Sequence, residues 1–269
     1  MTNDRPNKKI TRVGADDGTP STVPPATPKS GVPFLASKES KAKAKQLRLF
    51  AFLAWLVAIG LQAYAIFGVL FQAPVNMTLL IILIVVILAL ALTGSSLWKK
   101  ANRLDPASEK DKVKFFIQNQ LGAIMGVLAF LPLVILIFTN KDLSGKQKGI
   151  VGSIAVVALL IAGIAGIDFD PPSIEQYTEE TAMVEALNAG YNNVFWSPSG
   201  TRYHIYSDCS YIDSERTVEI FEGTVAKARE LKNINELCSR CRSRAMREKD
   251  ISEEDLADTM KNILETVEE

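Results

Sequence analysis

The chain has 269 residues, 48% hydrophobic yet 22% charged, with as many basic as acidic side chains. So many charges beside a positive mean hydropathy exclude one evenly mixed globular domain, so apolar and charged residues must be segregated along the chain. Residues 1–167 carry a formal +11 and residues 168–269 a formal −11, and the acidic C-terminal part disfavours general nucleic-acid binding, which depends on neutralising phosphates.

Residues 1–47 read as a basic cytoplasmic tail. As far as about residue 37, including "DDGTPSTVPPATPKSGVP", it is rich in Pro, Thr, Ser and Gly with almost no apolar period, so this tail is expected to be disordered. The basic "SKESKAKAKQLRLF" leads into the first of four apolar runs, Leu49–Phe71, Thr78–Trp98, Phe115–Phe138 and Gly149–Ile167, none containing Asp, Glu, Lys or Arg. A helix needs about 20 residues to cross the hydrocarbon core, and buried soluble helices rarely stay uncharged that long. Residues 48–168 are therefore expected to be a four-helix transmembrane domain. The short flanks before span one and between spans two and three hold eleven Lys and Arg, against three on the opposite side, which places both termini in the cytoplasm. The first apolar run starts too far from the N-terminus, and is too long, for a cleaved signal peptide.

Within the spans, Gly122 and Gly126 in the third, and Ala158, Ala162 and Gly166 in the fourth, keep the small-xxx-small spacing that lets helix backbones approach. That spacing serves contacts within one chain or between copies alike, so a homo-oligomer through these helices is one expected partner, beside membrane lipids. Pro132 is expected to kink span three. The intramembrane polar groups are Gln62, Gln118, Asn119 and Gln120; with no ionisable residue among them, a transport pathway is disfavoured.

Residues 169–192 read as a helical spacer, opened by Ser173 with Gln176 in capping-box spacing and closed by Gly190. In residues 193–248, "NVFW" and "TRYHIY" flank Ser197-Pro198-Ser199-Gly200, a hairpin signal that puts His204 on the second strand. Thr224 caps a short helix, and residues 249–269 form an acidic amphipathic helix with Leu256, Met260, Ile263 and Val267 aligned.

His204 is the sole histidine, and Cys209, Cys238 and Cys241 are the only cysteines. A structural zinc ion takes four N or S ligands, commonly paired on tight turns. Cys238-x-x-Cys241 is such a pair, and His204 with Cys209 supplies the other. Other readings of the same residues are a redox dithiol, a disulfide, or buried cysteines acting as small hydrophobes; the absence of a βαβ setting, the cytoplasmic side and the odd cysteine count weigh against the first two. Arg240, Arg242, Arg244, Arg247 and Lys249 are expected to form a solvated, ion-paired surface.

The stretch "FWSPSGTRYHIYSDCSYI", followed by "EGTVAKARELKNINELCSRC", resembles the Ada-type metal-binding domain superfamily over residues 194–244, and similar short modules in bacterial nucleases and membrane proteins. The resemblance implies metal ligation by His204, Cys209, Cys238 and Cys241, with Trp196 and Tyr203 in a small core. Ada proper uses four cysteines, one a methyl acceptor; His204 departs from that pattern, and methyl transfer is not carried over.

The expected fold class is thus a membrane all-α domain of four transmembrane helices plus a small cytoplasmic α+β zinc-binding module. The expected function is that of an integral inner-membrane protein whose zinc module is a non-catalytic interaction or sensing domain with a protein partner. The alternatives are a thiolate enzyme for alkyl transfer or redox work at Cys209 or Cys238, and a small transporter.

Overall fold

The computed structural model describes residues 8–13 and 34–268. The chain divides into two compact units, one made by Lys41–Pro171 and the other by the described residues within Met1–Ser40 and Pro172–Glu269.

The Lys41–Pro171 unit is helical. Helix α1 (Lys38–Tyr64) runs into a π-helical segment at Ala65–Leu70, followed by α2 (Met77–Leu104), α3 (Lys112–Leu128), α4 (Leu131–Thr139) and α5 (Gly145–Gly166). These make four passes long and apolar enough to cross a membrane. Even the shortest, 22 residues, reaches about 33 Å at 1.5 Å per residue, against a hydrocarbon core of about 30 Å. Local chemistry sets the ends. Asn76 accepts from the Leu79 amide at 3.0 Å and Asp111 from that of Lys114 at 3.1 Å, while Ser144 and Gln147 form a reciprocal capping box. The third pass is two helices rather than one bent helix. Pro132 sits in the first turn of α4, where it needs no helical partner, and it offers no N–H to the Leu128 carbonyl four residues earlier, where α3 ends.

The two small-residue stripes pack on each other inside one chain. A Cβ added to Gly126 would lie 2.8 Å from the Ala162 carbonyl oxygen, and one at Gly166 would lie 2.5 Å from backbone atoms of Gly122 and Ala123. Only residues without bulk permit α3 and α5 to approach so closely. Polar groups staple neighbouring passes, α2 to α3 and α3 to the residue pair that follows α5. The Trp98 Nε1–H and Asn102 Nδ2–H both donate to the Gln118 carbonyl, at 2.6 and 2.9 Å, and the Gln120 amide reaches the Asp168 carbonyl at 3.2 Å. Gln62 is buried with its Nε2 unpartnered among the described residues.

The other unit is α+β: a strand β1 (Lys9–Arg12), then α6 (Ile174–Leu187), β2 (Val194–Trp196), β3 (Glu219–Gly223), α7 (Val225–Lys232), α8 (Ser239–Glu248) and α9 (Glu253–Glu268). The sheet order is β1-β3-β2, with β1 parallel to β3 and β2 antiparallel to it. This corrects the disordered-tail expectation in part. Lys9–Arg12 is a strand and α1 begins at Lys38, whereas residues 1–7 and 14–33 of that expectation lie outside the described residues.

The Ser173 hydroxyl accepts from the Gln176 amide at 3.0 Å and so caps α6, but the Gln176 side chain turns instead to the buried Arg229 guanidinium, 2.9 Å away. Arg229 also pairs with Glu180 and lies over the Tyr177 ring, 5.1 Å from its centroid. A guanidinium so enclosed is tolerable only with such partners. Thr224 caps α7, and Leu256 of α9 is buried in one core cluster with Leu187 and Ile205. Met260 packs against that cluster, whereas the side chain of Val267 lies outside the described residues.

Candidate metal centre

The predicted hairpin survives only as a single antiparallel bridge. The backbone groups of Phe195 and His204 exchange hydrogen bonds at 2.7 Å in each direction, and β2 finds its longer partner in β3 instead. That bridge fixes His204 at one side of the sheet. The next residue back clamps the cysteine pair, since the Tyr203 amide donates to Glu236 at 3.0 Å and its carbonyl accepts from the Cys238 amide at 2.9 Å. Trp196 and Tyr203 are both buried, in the core cluster where the resemblance places them.

Cys238 is the N-cap of α8 and Cys241 lies in its first turn. Cap and third helical position are the two sites whose side chains each reach the other's backbone amide in a capping box, so they lie close together; here the cap side chain makes no capping bond, leaving its sulfur free to face the same point as Cys241. Cys209 is presented by tight turns: its amide donates to Tyr206 at 3.2 Å, and its carbonyl accepts from Ile212 and Asp213 at 2.9 and 2.7 Å.

The four side chains expected from the sequence thus come together. One donor atom from each of His204, Cys209, Cys238 and Cys241 lies within 4.8 Å of every other, and all four residues are buried. His204 Nδ1 is 3.6 Å from Cys241 Sγ. With metal–sulfur bonds of about 2.3 Å and a metal–nitrogen bond of about 2.0–2.1 Å, tetrahedral angles require an N···S edge of about 3.6 Å. The observed edge therefore matches a tetrahedral ion, and the group could hold one.

Electrostatics point the same way. Burial, helped by the Arg202 charge, pushes His204 down to about 4, so its ring is neutral and offers a lone pair at neutral pH. Burial holds the Cys241 thiol well above its ordinary range, and the neighbouring Cys209 and Cys238 add to this, against an opposing hydrogen bond from the Tyr206 amide. A thiol that resists ionising alone, as that of Cys241 does, needs a cation to become a thiolate, and a dication supplies it. No disulfide competes, since all three cysteines are free.

Family models, curated proteins and solved structures offer no match to this chain.

A cleft of about 400 Å³ lined by Ser210, Arg240 and Arg244 reaches Cys209 and Cys241, and one of about 320 Å³ lined by Thr201, Arg202 and Tyr211 reaches His204 and Cys238. Even so, Cys209 and Cys241 are only 5% and 1% exposed. The basic run around them is largely paired: Arg242 with Glu253, and Arg244 with Asp208 and Glu248 at 2.8 Å each. Arg240 donates to the Ser210 hydroxyl and sits over Tyr211, while Lys249 reaches the Leu187 carbonyl at 2.6 Å. Sequence reasoning missed Tyr206, whose amide supports Cys241, and the acidic residues of β3; neither carries a motif.

Proposed function

We propose that this chain is an integral membrane protein with both termini cytoplasmic, and that its α+β unit is a zinc-stabilised, non-catalytic interaction or sensing module. The observation that carries the reading is the closed donor set: three sulfurs and one imidazole nitrogen, buried, with no fifth group or open position required. That is the arrangement of structural zinc, whereas catalytic zinc keeps one position for water or substrate. His204, Cys209, Cys238 and Cys241 would hold the ion, which would supply cross-linking between the sheet, the Cys209 turn and the start of α8.

Support for the membrane placement comes from the four apolar passes, from outward-facing Leu56, Phe67, Ile82 and Val157, and from the Lys and Arg asymmetry of the flanks. A reducing cytoplasm also suits three thiolates on one ion. The likeness to the Ada-type superfamily rests on the residue pattern, from which the histidine donor departs, and methyl transfer forms no part of the proposal.

The experiment is thiol labelling of the full chain in detergent near neutral pH, before and after chelation. The expected result is no rapidly labelled cysteine in the metal-loaded protein and three after chelation, together with loss of near-UV circular dichroism. One cysteine that labels fast and stoichiometrically while the metal stays bound would overturn this and favour a reactive thiolate at Cys209 or Cys238.

A further inference from the structure

We infer that the outer edge of β3 is a docking site for a basic, extended peptide strand, and that residues Lys8–Val13 of the chain itself are its resident occupant. This goes beyond the metal-stabilised module proposed above and does not depend on which ion it holds.

Without β1, β3 would be an edge strand presenting a row of unpaired amides and carbonyls, the usual template for strand addition. That edge is acidic. Asp213, Glu219 and Glu222 face it, and each meets a cation of the N-terminal segment. Lys8 pairs with Asp213, Lys9 with Glu219 at 3.3 Å, and Arg12 Nε with Glu222 at 2.7 Å, while the Thr11 hydroxyl donates to Glu219 at 2.7 Å. Glu222 is a nearly buried carboxylate, 8% exposed, whose other oxygen takes the Asn193 amide at 3.2 Å. It therefore requires a cationic partner from the edge side, and Arg12 is the one it has.

Register is set twice. The parallel ladder aligns Lys9 with Glu219 through Arg12 with Glu222. Val13 then donates its amide to the Glu222 carbonyl at 2.8 Å and buries its side chain among Val184, Val194 and Trp196. A slip of one residue would turn the cations away from their carboxylates and lift Val13 from its pocket. The site thus reads an extended segment with cations at the first, second and fifth positions, a hydroxyl at the fourth and a branched aliphatic at the sixth. A partner strand of that chemistry can bind only by displacing the resident one.

The test uses the full chain in detergent, intact and lacking residues 1–13, with a fluorescent peptide copying residues 5–16. The truncated chain should bind it saturably, more weakly as salt rises, and at least tenfold more tightly than the intact chain. The reason is that a tethered occupant competes at an effective concentration on the order of millimolar. Equal binding to both chains, or to neither, overturns the proposal. Should the truncation unfold the module, hydrogen exchange decides on the intact chain: the amides of Thr11 and Val13, the alternate ones that face β3, should be protected, and Glu222→Lys should release them. Unprotected amides overturn the strand, and protection that falls on dilution overturns the assignment to the same chain in favour of a second copy.

Discussion

Cys238→Ser is expected to remove the metal and unfold the module that contains it. Cys238 is at once a donor, the cap of α8 and, through its amide, the partner of the Tyr203 carbonyl at 2.9 Å, so one substitution loosens the ion, a helix start and the edge of the sheet. Structural zinc contributes about 10–16 kcal/mol of binding free energy that is realised as folding, comparable to the whole stability of a domain, about 5–15 kcal/mol. The measurement is metal per chain with limited proteolysis. The variant should fall from one ion to nearly none, and residues 172–268 should become protease-sensitive while the apolar helices stay resistant in detergent. His204→Cys tests the donor logic from the other side, because four cysteines are also a tetrahedral structural set. It should retain more metal than His204→Ala. Equal loss in both would mean that His204 matters for packing alone.

The second large effect is in the helical unit. Gly166→Val places new atoms where a Cβ alone would already lie 2.5 Å from the backbone of Gly122 and Ala123. Backbone cannot rotate aside as a side chain can, so α3 and α5 must separate, costing about 1–3 kcal/mol or more by overpacking. Gly163→Ala is the matched control. It lies three residues away on the same helix, and its added Cβ would meet only a Val127 methyl at 4.0 Å. Thermal unfolding in detergent should show Gly166→Val clearly destabilised and Gly163→Ala unchanged. Equal melting temperatures would contradict the close crossing.

Much of this was legible in the sequence because the signals were local. Uncharged runs of about 20 residues can be little else than long apolar helices, and Ser173 and Thr224 announce helix starts through side-chain oxygens that act three residues away. The metal quartet was legible for a different reason. Its residue types are so scarce in this chain that their clustering stood out, although the fold had to close the gap between Cys209 and Cys238.

What escaped was non-local. On β3 each face carries one apolar and one acidic residue, Ile220 with Glu222 and Phe221 with Glu219, so the alternation that betrays a half-buried strand is absent. β1 lies in a stretch with turn-like and polar surroundings, and only its partner more than 200 residues away makes it a strand. For the hairpin, strong β-formers and a good turn were outweighed by β3, which offered β2 three paired positions where "TRYHIY" offered one. Arg229 reads as a surface residue of a short charged helix. Its burial depends on Gln176, Glu180 and Tyr177, contributed by α6 about 50 positions earlier.

The central claim is a closed, four-donor metal centre, and X-ray absorption at the zinc edge of the purified full chain tests it most directly. The account predicts one zinc per chain with three sulfur neighbours at about 2.3 Å and one nitrogen at about 2.0–2.1 Å. A chain that folds without metal, or an ion surrounded mainly by oxygen and nitrogen, would contradict it.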